Sequence, residues 1–262
     1  MLSDLHVGSK YFLKQNFQKF LEWINGRSAR HRELAGKIKY ITIAGDLVDG
    51  VGIYPTQEEE LETDDIFQQY EQLGELLSEI PEYIEIIAIP GNHDATRTAE
   101  PQPAIDPSLL GKLVDLPNFR CLGSPSYVSL HGVEFMLYHG ASIHSMVPHI
   151  LEANYNQPEI TIREWLRKRH LHPVYGEKPP LSPEKRDYLV IERVPDVLHV
   201  GDVHRNGYLN YRGVIGVNSG TWQGITPFQL KQGHSPTPCI LPLLNLQTGK
   251  LHILHFEKGV GE

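Results

Sequence analysis

Aspartate and histidine recur in this sequence in short motifs that suit divalent metal ions. Five motifs carry them: Asp4-Leu5-His6, Gly45–Asp49, Gly91–Asp94, His139-Gly140 and Gly201–His204. Four of these follow runs typical of a buried strand, over 39–44, 84–89, 133–138 and 196–200. The first follows only three residues, which we interpret as a truncated strand. Because ligands at the carboxyl ends of strands gather at one edge of a sheet, we expect the motifs to meet.

The side chains in these motifs indicate which metals they suit. They offer carboxylates, imidazoles and an amide, and no thiolate. Such donors favour Mn²⁺, Fe²⁺, Zn²⁺ or Mg²⁺ in a reactive site over a structural zinc site. A pair of ions about 3.5–4 Å apart needs one bridging carboxylate and separate terminal ligands. The pattern therefore predicts two divalent ions that bind phosphate oxygens and activate a water.

Hydrolysis of a phosphoester also needs an acid that protonates the leaving oxygen. His93 is free for this role if Asn92 binds the metal. Its neighbour Asp94 can hold the ring and favour its protonated form. We therefore predict His93 and Asp94 as the catalytic pair.

The composition is typical of a globular protein, and the sequence contains no segment long and apolar enough to span a membrane. The 262 residues are 40% apolar, and no apolar run approaches the roughly 18 residues of a membrane helix. Two distant cysteines, Cys121 and Cys239, offer neither a disulfide framework nor a paired metal knuckle. We expect both as buried thiols in a reducing cytoplasm, without membrane association.

The net charge of −8 does not decide whether the chain binds nucleic acid. An acidic balance argues against such binding. However, metal-binding carboxylates are neutralised when the ions are bound, and the acidic run over 58–65 adds six negative charges that we interpret as a solvated loop. Fourteen histidines are the more informative count, since histidine is a common metal ligand.

Short β-branched runs alternate with helical patterns, which indicates an α/β or α+β layered fold. Further strands are predicted near 188–191, 214–217, 239–245 and 250–256, and helices near 17–24, 64–80, 145–152 and 159–169. No repeat or linker divides the chain, so residues 1–262 are predicted to be one domain. The short run before Asp4 leads us to expect a fragment of a longer chain.

The order of these motifs resembles that of the calcineurin-like metallophosphoesterases. Longer segments are similar to a narrower family, the small subunit of the archaeal family D DNA polymerase. These segments are Tyr54–Glu58, Pro90–Pro103, Arg169–Gly176, Val194–Leu198, Asn218–Gln223 and Pro236–Pro238. The resemblance extends from Ser3 to about residue 257.

This resemblance implies a four-layer αββα sandwich and a manganese-dependent 3′→5′ exonuclease acting on single-stranded or mismatched DNA ends. It also implies a large catalytic polymerase subunit as partner and an oligonucleotide-binding domain upstream in the same chain. Matched residue by residue, it assigns seven metal ligands and His93 as the acid. One ion takes Asp4, His6, Asp46 and His204, and the other takes Asp46, Asn92, His139 and the residue at position 202.

The sequence departs from the family at one ligand position. The family has histidine where this chain has Asp202, and aspartate can bind the same metals. His199, three residues upstream, is the alternative ligand. Asp49 is interpreted as a residue that orients a ligand without binding the metal itself.

Basic residues between 163 and 172 form the only basic cluster, and a solvated helix face is its default interpretation. The alternative is contact with DNA or with the large subunit, for which the candidates are Arg97, Arg167, Arg169 and His170. Trp222 and Phe228 could stack an unpaired base, although core packing is the simpler explanation. His144 and His149 are weaker candidates for lining the site.

Three functions remain open from the sequence. The first is a proofreading nuclease. The second is a scaffold subunit with an inactive site, which is disfavoured because only one ligand position has changed, and to another possible ligand. The third is a stand-alone phosphoesterase, which the polymerase-like segments disfavour.

Overall fold

The computed structural model describes residues 1–257. The strands of its first sheet are parallel. Strand β1 is Tyr40–Ala44, β2 is Glu85–Ile89 and β3 is Phe119–Cys121, in the order β1-β2-β3. Residues on both sides of Asp4 extend this sheet through single bridges, since Leu2 pairs in parallel with Ile43 and Val7 with Val48. The first motif therefore lies beside β1.

The second sheet has five strands in the order β4-β5-β6-β8-β7. Their bounds are β4 Ser126–Leu130, β5 Val133–Leu137, β6 Val197–Val200, β7 Asn206–Tyr211 and β8 Val214–Ser219. The central strands β5, β6 and β8 are parallel, whereas β4 and β7 pair antiparallel at the edges. A separate antiparallel hairpin joins β9 (Ile240–Leu244) to β10 (Leu251–His255).

Six α-helices accompany the sheets within the described residues. They are α1 Lys14–Ile24, α2 Arg32–Ala35, α3 Ile66–Ser78, α4 Ile143–Met146, α5 Pro158–Lys168 and α6 Pro227–Lys231. Short 3₁₀ segments lie at Gln57–Glu60, Pro107–Leu109, Gly111–Asp115 and Val147–His149. Helix α3 begins at an N-cap aspartate, Asp65, whose carboxylate accepts from two backbone amides of the first turn. None of these helices is long and apolar enough to cross a bilayer.

The burial pattern along the strands shows that the two sheets pack face to face. In β1, Ile41 and Ile43 pack with α1 and α3, whereas Ala44 points to the other side, into the core between the sheets. In β6, Val197 faces that inter-sheet core and Leu198 packs against α5. Since successive strand residues point to opposite faces, each central strand serves two cores. The layers run helix, sheet, sheet, helix, and the predicted αββα sandwich is confirmed.

Several predicted elements differ from the observed ones. The run 188–191 forms only a single bridge, between His170 and Val190, and is not a strand. The helix expected over 145–152 is shorter, because Pro148 lacks an amide proton and the chain continues as a 3₁₀ turn. Strands β3, β4 and β7 were not expected. Of these, β4 and β7 lie at the edges of the second sheet, where half-exposed residues weaken the apolar pattern.

Candidate metal centre

The predicted ligands gather where parallel strands end. Asp46 and Asn92 follow β1 and β2, and His139 and His204 follow β5 and β6. Because the sheets stack with these ends together, one cluster forms between them. Three groups of side chains each place their ligand atoms within 4.8 Å of one another: Asp4 with His6 and His204; His6 with Asp46 and His93; and Asp4 with Asp46 and His139.

Asp46 lies at the centre of the cluster and its two carboxylate oxygens face different partners. Oδ2 is 3.6 Å from His6 Nε2, and Oδ1 is 3.5 Å from His139 Nε2. Burial opposes ionisation, but the histidines His139, His93 and His6 outweigh it and hold the pKa of Asp46 well below its usual range. A buried carboxylate that stays charged and faces two sides is the geometry of a bridging ligand.

The first half of the cluster is oriented by Asp49. His6 Nδ1 donates to Asp49 Oδ1 at 2.9 Å, which leaves a lone pair on Nε2 directed at the site. That Nε2 lies 2.9 Å from His204 Nε2, and His204 Nε2 lies 3.4 Å from Asp4 Oδ1. Asp49 therefore has the orienting position expected from the sequence. These donors suit one divalent cation.

The second half of the cluster is arranged around His139. Its Nδ1 donates to the carbonyl of Ala44 at 2.8 Å, and its Nε2 lies 2.9 Å from Asn92 Oδ1. Two acceptor atoms at this separation need a cation or a proton between them. Burial opposes a positive charge here, but Asp46, Asp4 and Asp202 outweigh it and raise the pKa of His139 well above its usual range. The site thus favours positive charge, and these residues fit a second cation.

The backbone of the ligand loops is unusual. Five candidate ligands have left-handed backbone conformations, with φ between 50° and 73°: Asp4, His6, Asp46, Asp202 and His204. Residues with a side chain rarely occupy this region, at a cost of about 1 kcal/mol or more each. Such conformations persist where surrounding contacts enforce them, and they cluster at functional sites.

Two glycines of the motifs allow the loops to approach closely. Gly45 has φ of +89°, and a Cβ there would lie 2.3 Å from His139 Nδ1. A Cβ on Gly91 would lie 2.1 Å from Asp46 Oδ1. Any larger residue would displace one of the central ligands, so glycine at these positions follows from the packing of the site itself.

The arrangement of His93 and Asp94 differs from the prediction. His93 Nδ1 contacts the backbone carbonyl of Asp49 at 2.7 Å, and its own amide donates to Asp46 Oδ1 at 2.9 Å. The Asp94 carboxylate instead accepts from the amides of Leu47 and Gly91 and from the Tyr70 hydroxyl. Asp94 therefore joins the loops after β1 and β2. The predicted contact between Asp94 and the His93 ring was wrong, because the turn directs the two side chains to different partners.

The last motif places Asp202 beside the second half of the cluster. Its Oδ1 is 3.7 Å from His139 Nε2, and its Oδ2 is 3.1 Å from His144 Nε2. His199 is buried between the sheets, where it contacts Thr42 and Ser219 through its two ring nitrogens. Asp202 is thus the residue in reach of the cluster, and His199 is not. His144, a weaker candidate from the sequence, lines the cleft beside Asp202.

The cluster opens into a cleft of about 560 Å³. His93 and Asp202 line it together with residues that the sequence did not single out as site residues, notably Tyr54, Lys178 and His234. Phe228 also lines the cleft, whereas Trp222 is buried against Phe17 and Phe20 and belongs to the core. Tyr54 belongs to the segment Tyr54–Glu58, which is similar to the polymerase small subunit family. Lys178 lies in none of the segments that carry this similarity.

Comparisons with known proteins identify the family. The family profile for the B-subunit of DNA polymerases alpha and epsilon matches residues 1–207. A curated relative from Methanocaldococcus jannaschii, named DNA polymerase II small subunit, is 48% identical over 100% of this chain. This chain belongs to that family of polymerase subunits. The resemblance to an archaeal polymerase small subunit is confirmed.

Other relatives of this chain have the same name, DNA polymerase II small subunit. The one from Archaeoglobus fulgidus is 48% identical over 90% of the chain, and the one from Thermoplasma acidophilum is 40% identical over 98%. The chain spans about half the length of the relatives it matches, covering 44% of the first and 49% of the second.

Solved structures align with the polymerase subunit over most of its length at low identity. The protein titled "Structural and Functional Characterization of a Novel Archaeal Phosphodiesterase" aligns over 97% of this chain and 96% of its own, with a TM-score of 0.48 and 12% identity. Vps29 from Entamoeba histolytica aligns over 98% and 97%, with a TM-score of 0.43 and 14% identity.

The four predicted DNA contacts of the polymerase subunit lie outside the cleft, as far as residues 1–257 show. The Arg169 guanidinium donates to the carbonyls of Ile191 and Glu192, and His170 contacts Asp187. Arg97 binds the Pro101 carbonyl and Glu184, and Arg167 pairs with Glu164 on its own helix. Arg169 and His170 thus anchor the chain after α5, so a DNA-binding role for these four residues stays a prediction.

Proposed function

We propose that this polymerase subunit is a two-metal phosphodiesterase that removes nucleotides 3′→5′ from single-stranded or mismatched DNA ends. The observation that carries the proposal is the central carboxylate of Asp46, whose two oxygens face separate groups of ligands. One group contains His6, and the other contains His139. A carboxylate shared in this way is what a pair of ions on a phosphodiester requires.

The candidate ligands divide into two groups, one for each proposed ion. Asp4, His6, Asp46 and His204 would hold one, and Asp46, Asn92, His139 and Asp202 would hold the other. When bound, the ions supply a water nucleophile at neutral pH and neutralise phosphate charge. Oxygen and imidazole donors without thiolate make Mn²⁺ our choice, with Fe²⁺, Zn²⁺ and Mg²⁺ as alternatives.

His93 is the proposed proton donor to the leaving oxygen. It lines the cleft, and the Asp49 carbonyl fixes one ring nitrogen. Burial opposes a charged ring, but Asp46 and Asp49 outweigh it and raise the pKa of His93 above its usual value. A shift in this direction favours the protonated imidazole, which is the form that a general acid needs.

Family membership supports the biological setting. The relatives are named as small subunits, so we propose that this chain works with a large catalytic polymerase subunit. Removal of a mismatched 3′ end is the hydrolysis that such an assembly needs. The proposed substrate is therefore the primer end.

The test is digestion of single-stranded DNA labelled at the 5′ end or at the 3′ end, with Mn²⁺. We expect stepwise shortening of the 5′-labelled strand and early release of labelled mononucleotide from the 3′-labelled one. Asp46→Asn should abolish both. Asp115→Asn, which changes an exposed aspartate, is the matched control and should behave as wild type.

Other results would point to the competing functions. Mn²⁺ binding without hydrolysis of any DNA end would favour the scaffold subunit. Hydrolysis of phosphomonoesters or phosphopeptides in preference to DNA would favour a general phosphoesterase. Release of label from the 5′ end first would reverse the proposed polarity.

A further inference from the structure

Two aromatic rings stack on each other in the wall of the cleft. Tyr54 and Phe228 have ring centroids 4.3 Å apart and planes only 18° from parallel. Both rings line the same cleft as Asp46 and His93. They come from distant parts of the chain, so their stacking is a product of the fold.

Specific polar contacts hold the pair in place. The Tyr54 hydroxyl donates to Glu60 Oε2 at 2.8 Å. Phe228 lies on α6, whose start is fixed by a capping box in which Thr226 and Gln229 bond each other's backbone amides. Gln229 Nε2 also lies 3.0 Å from Nδ1 of the candidate ligand His204, so α6 is positioned directly against the ligand cluster. The stacked pair is therefore in a fixed position relative to the reacting atoms.

The pair lies next to the proposed proton donor. The Tyr54 ring meets the His93 ring edge to face, with centroids 6.2 Å apart. Ile53, which is 37% exposed, extends the apolar surface along the cleft wall. Lys178 brings a positive charge to the same cleft. A planar apolar surface, a cation and a phosphoester site within one cleft match the parts of a nucleotide.

We propose that Tyr54 and Phe228 form a stacking site for an unpaired nucleobase of the nucleotide beside the scissile phosphodiester. This proposal rests on the proposed function and names what its substrate must offer. Aromatic side chains bind bases of any identity, because every base has a flat π face. A base inside a duplex has both faces covered by its neighbours. The site therefore selects single-stranded ends over paired ends, with little preference for sequence.

An apolar side chain of a peptide is the competing occupant. It would pack equally well against an aliphatic residue of similar volume, whereas a nucleobase depends on the ring. The substitution Phe228→Leu separates these cases, because it keeps an apolar side chain and removes the ring. Phe228→Tyr keeps the ring and serves as the conservative variant.

Binding is measured by fluorescence of a short single strand carrying 2-aminopurine at one of its last two 3′ positions. Stacking on an aromatic ring quenches this base. Mn²⁺ is present, and all proteins carry His93→Ala to slow turnover. We expect quenching with the unsubstituted cleft and with Phe228→Tyr, and binding roughly 5- to 150-fold weaker with Phe228→Leu, the range for one stacked base. Leu230→Ala, which alters a residue 66% exposed on the same helix, is the control and should bind normally.

A strand with an abasic site in place of the probe base completes the experiment. It should bind the unsubstituted cleft weakly and lose nothing more with Phe228→Leu, since the same interaction is removed twice. Additive losses, or no quenching by the unsubstituted cleft, would overturn the stacking site. Because the readout is binding, a protein that stacks the base but hydrolyses no DNA would contradict the proposed function and leave this site standing.

Discussion

At the scale of single residues, the site depends on the contact that fixes Nδ1 of each imidazole ring. Asp49 holds His6, the Ala44 carbonyl holds His139, and the Asp49 carbonyl holds His93. In the first two, a contact at Nδ1 leaves Nε2 free to bind a metal. His93 has the same kind of contact at Nδ1, and its backbone amide also donates to Asp46, which places its ring beside the cluster.

His93→Ala tests whether this ring is a proton donor or a ligand. We expect both metals to remain bound and hydrolysis of single-stranded DNA to fall by about 10²–10⁴-fold, the usual effect of losing a general acid. Mn²⁺ occupancy and the single-turnover rate are measured on the same preparation. His255→Ala, at an exposed position, is the control. A parallel loss of metal and rate would make His93 a ligand.

Asp202→Asn tests the charge beside the second ion. The substitution keeps the shape of the side chain and removes one negative charge close to His139. We expect a higher Mn²⁺ concentration for half-occupancy of the second site, with the first site unchanged, because attraction for the cation is reduced. A Mn²⁺ titration followed by electron paramagnetic resonance gives both occupancies. Asp115→Asn is again the control; an unchanged titration would remove Asp202 from the metal site.

At the scale of elements, the loops after β1 and β2 are packed together with almost no free space. Asp94 bonds the backbone of Leu47 and Gly91, which joins the two loops. A Cβ on Gly91 would also lie 2.5 Å from the Asp46 amide nitrogen. The carboxylate that we propose as the bridging ligand thus depends on a small residue in the neighbouring loop.

Gly91→Ala should therefore remove metal binding while the protein remains folded. The added methyl group must displace Asp46, so both proposed ions would lose their shared ligand. Isothermal titration with Mn²⁺ measures the loss, and circular dichroism checks the fold. Gly36→Ala is the matched control, because its φ is −66° and the nearest atom to an added Cβ is 3.9 Å away. Normal Mn²⁺ affinity in Gly91→Ala would contradict the close approach.

At the scale of the whole molecule, a buried histidine joins the two sheets. His199 on β6 contacts Thr42 on β1 and Ser219 on β8. Burial lowers its pKa well below the usual value. The folded protein therefore keeps this ring neutral in acid, whereas the unfolded chain protonates it below about pH 6.5.

This difference makes stability dependent on pH. Below about pH 6.5 the unfolded chain binds a proton at this residue that the folded protein does not bind. The contribution of His199 therefore lowers the free energy of unfolding by about 1.4 kcal/mol for each pH unit below that value. His199→Gln should show a shallower decline between about pH 6.5 and pH 5. Urea unfolding in a chelator measures it, with His255→Gln as the exposed control. Equal pH slopes in all three proteins would show that His199 is protonated in the fold.

The sequence determined the layered fold and the identity of the candidate ligands. Strand patterns followed by Asp46, Asn92, His139 or Asp202 are local signals, because burial repeats along a strand and ligands lie where the strand ends. Helix α5 was predicted within one residue at each end because its buried residues repeat at helical spacing. Edge strand β7 was missed because its residues are half-exposed and carry little apolar pattern.

Only the tertiary structure decided which residues meet across the chain. The contact of His93 with the Asp49 carbonyl, the pairing of Asp202 with His144, and the stacking of Tyr54 on Phe228 join segments between about 40 and 170 residues apart. Arg169 shows the converse, since the fold joins this basic residue to backbone carbonyls that the sequence did not indicate, and its contact with DNA stays a prediction. Residue types limit the possible chemistry, but distances and directions between loops arise from how the two sheets pack.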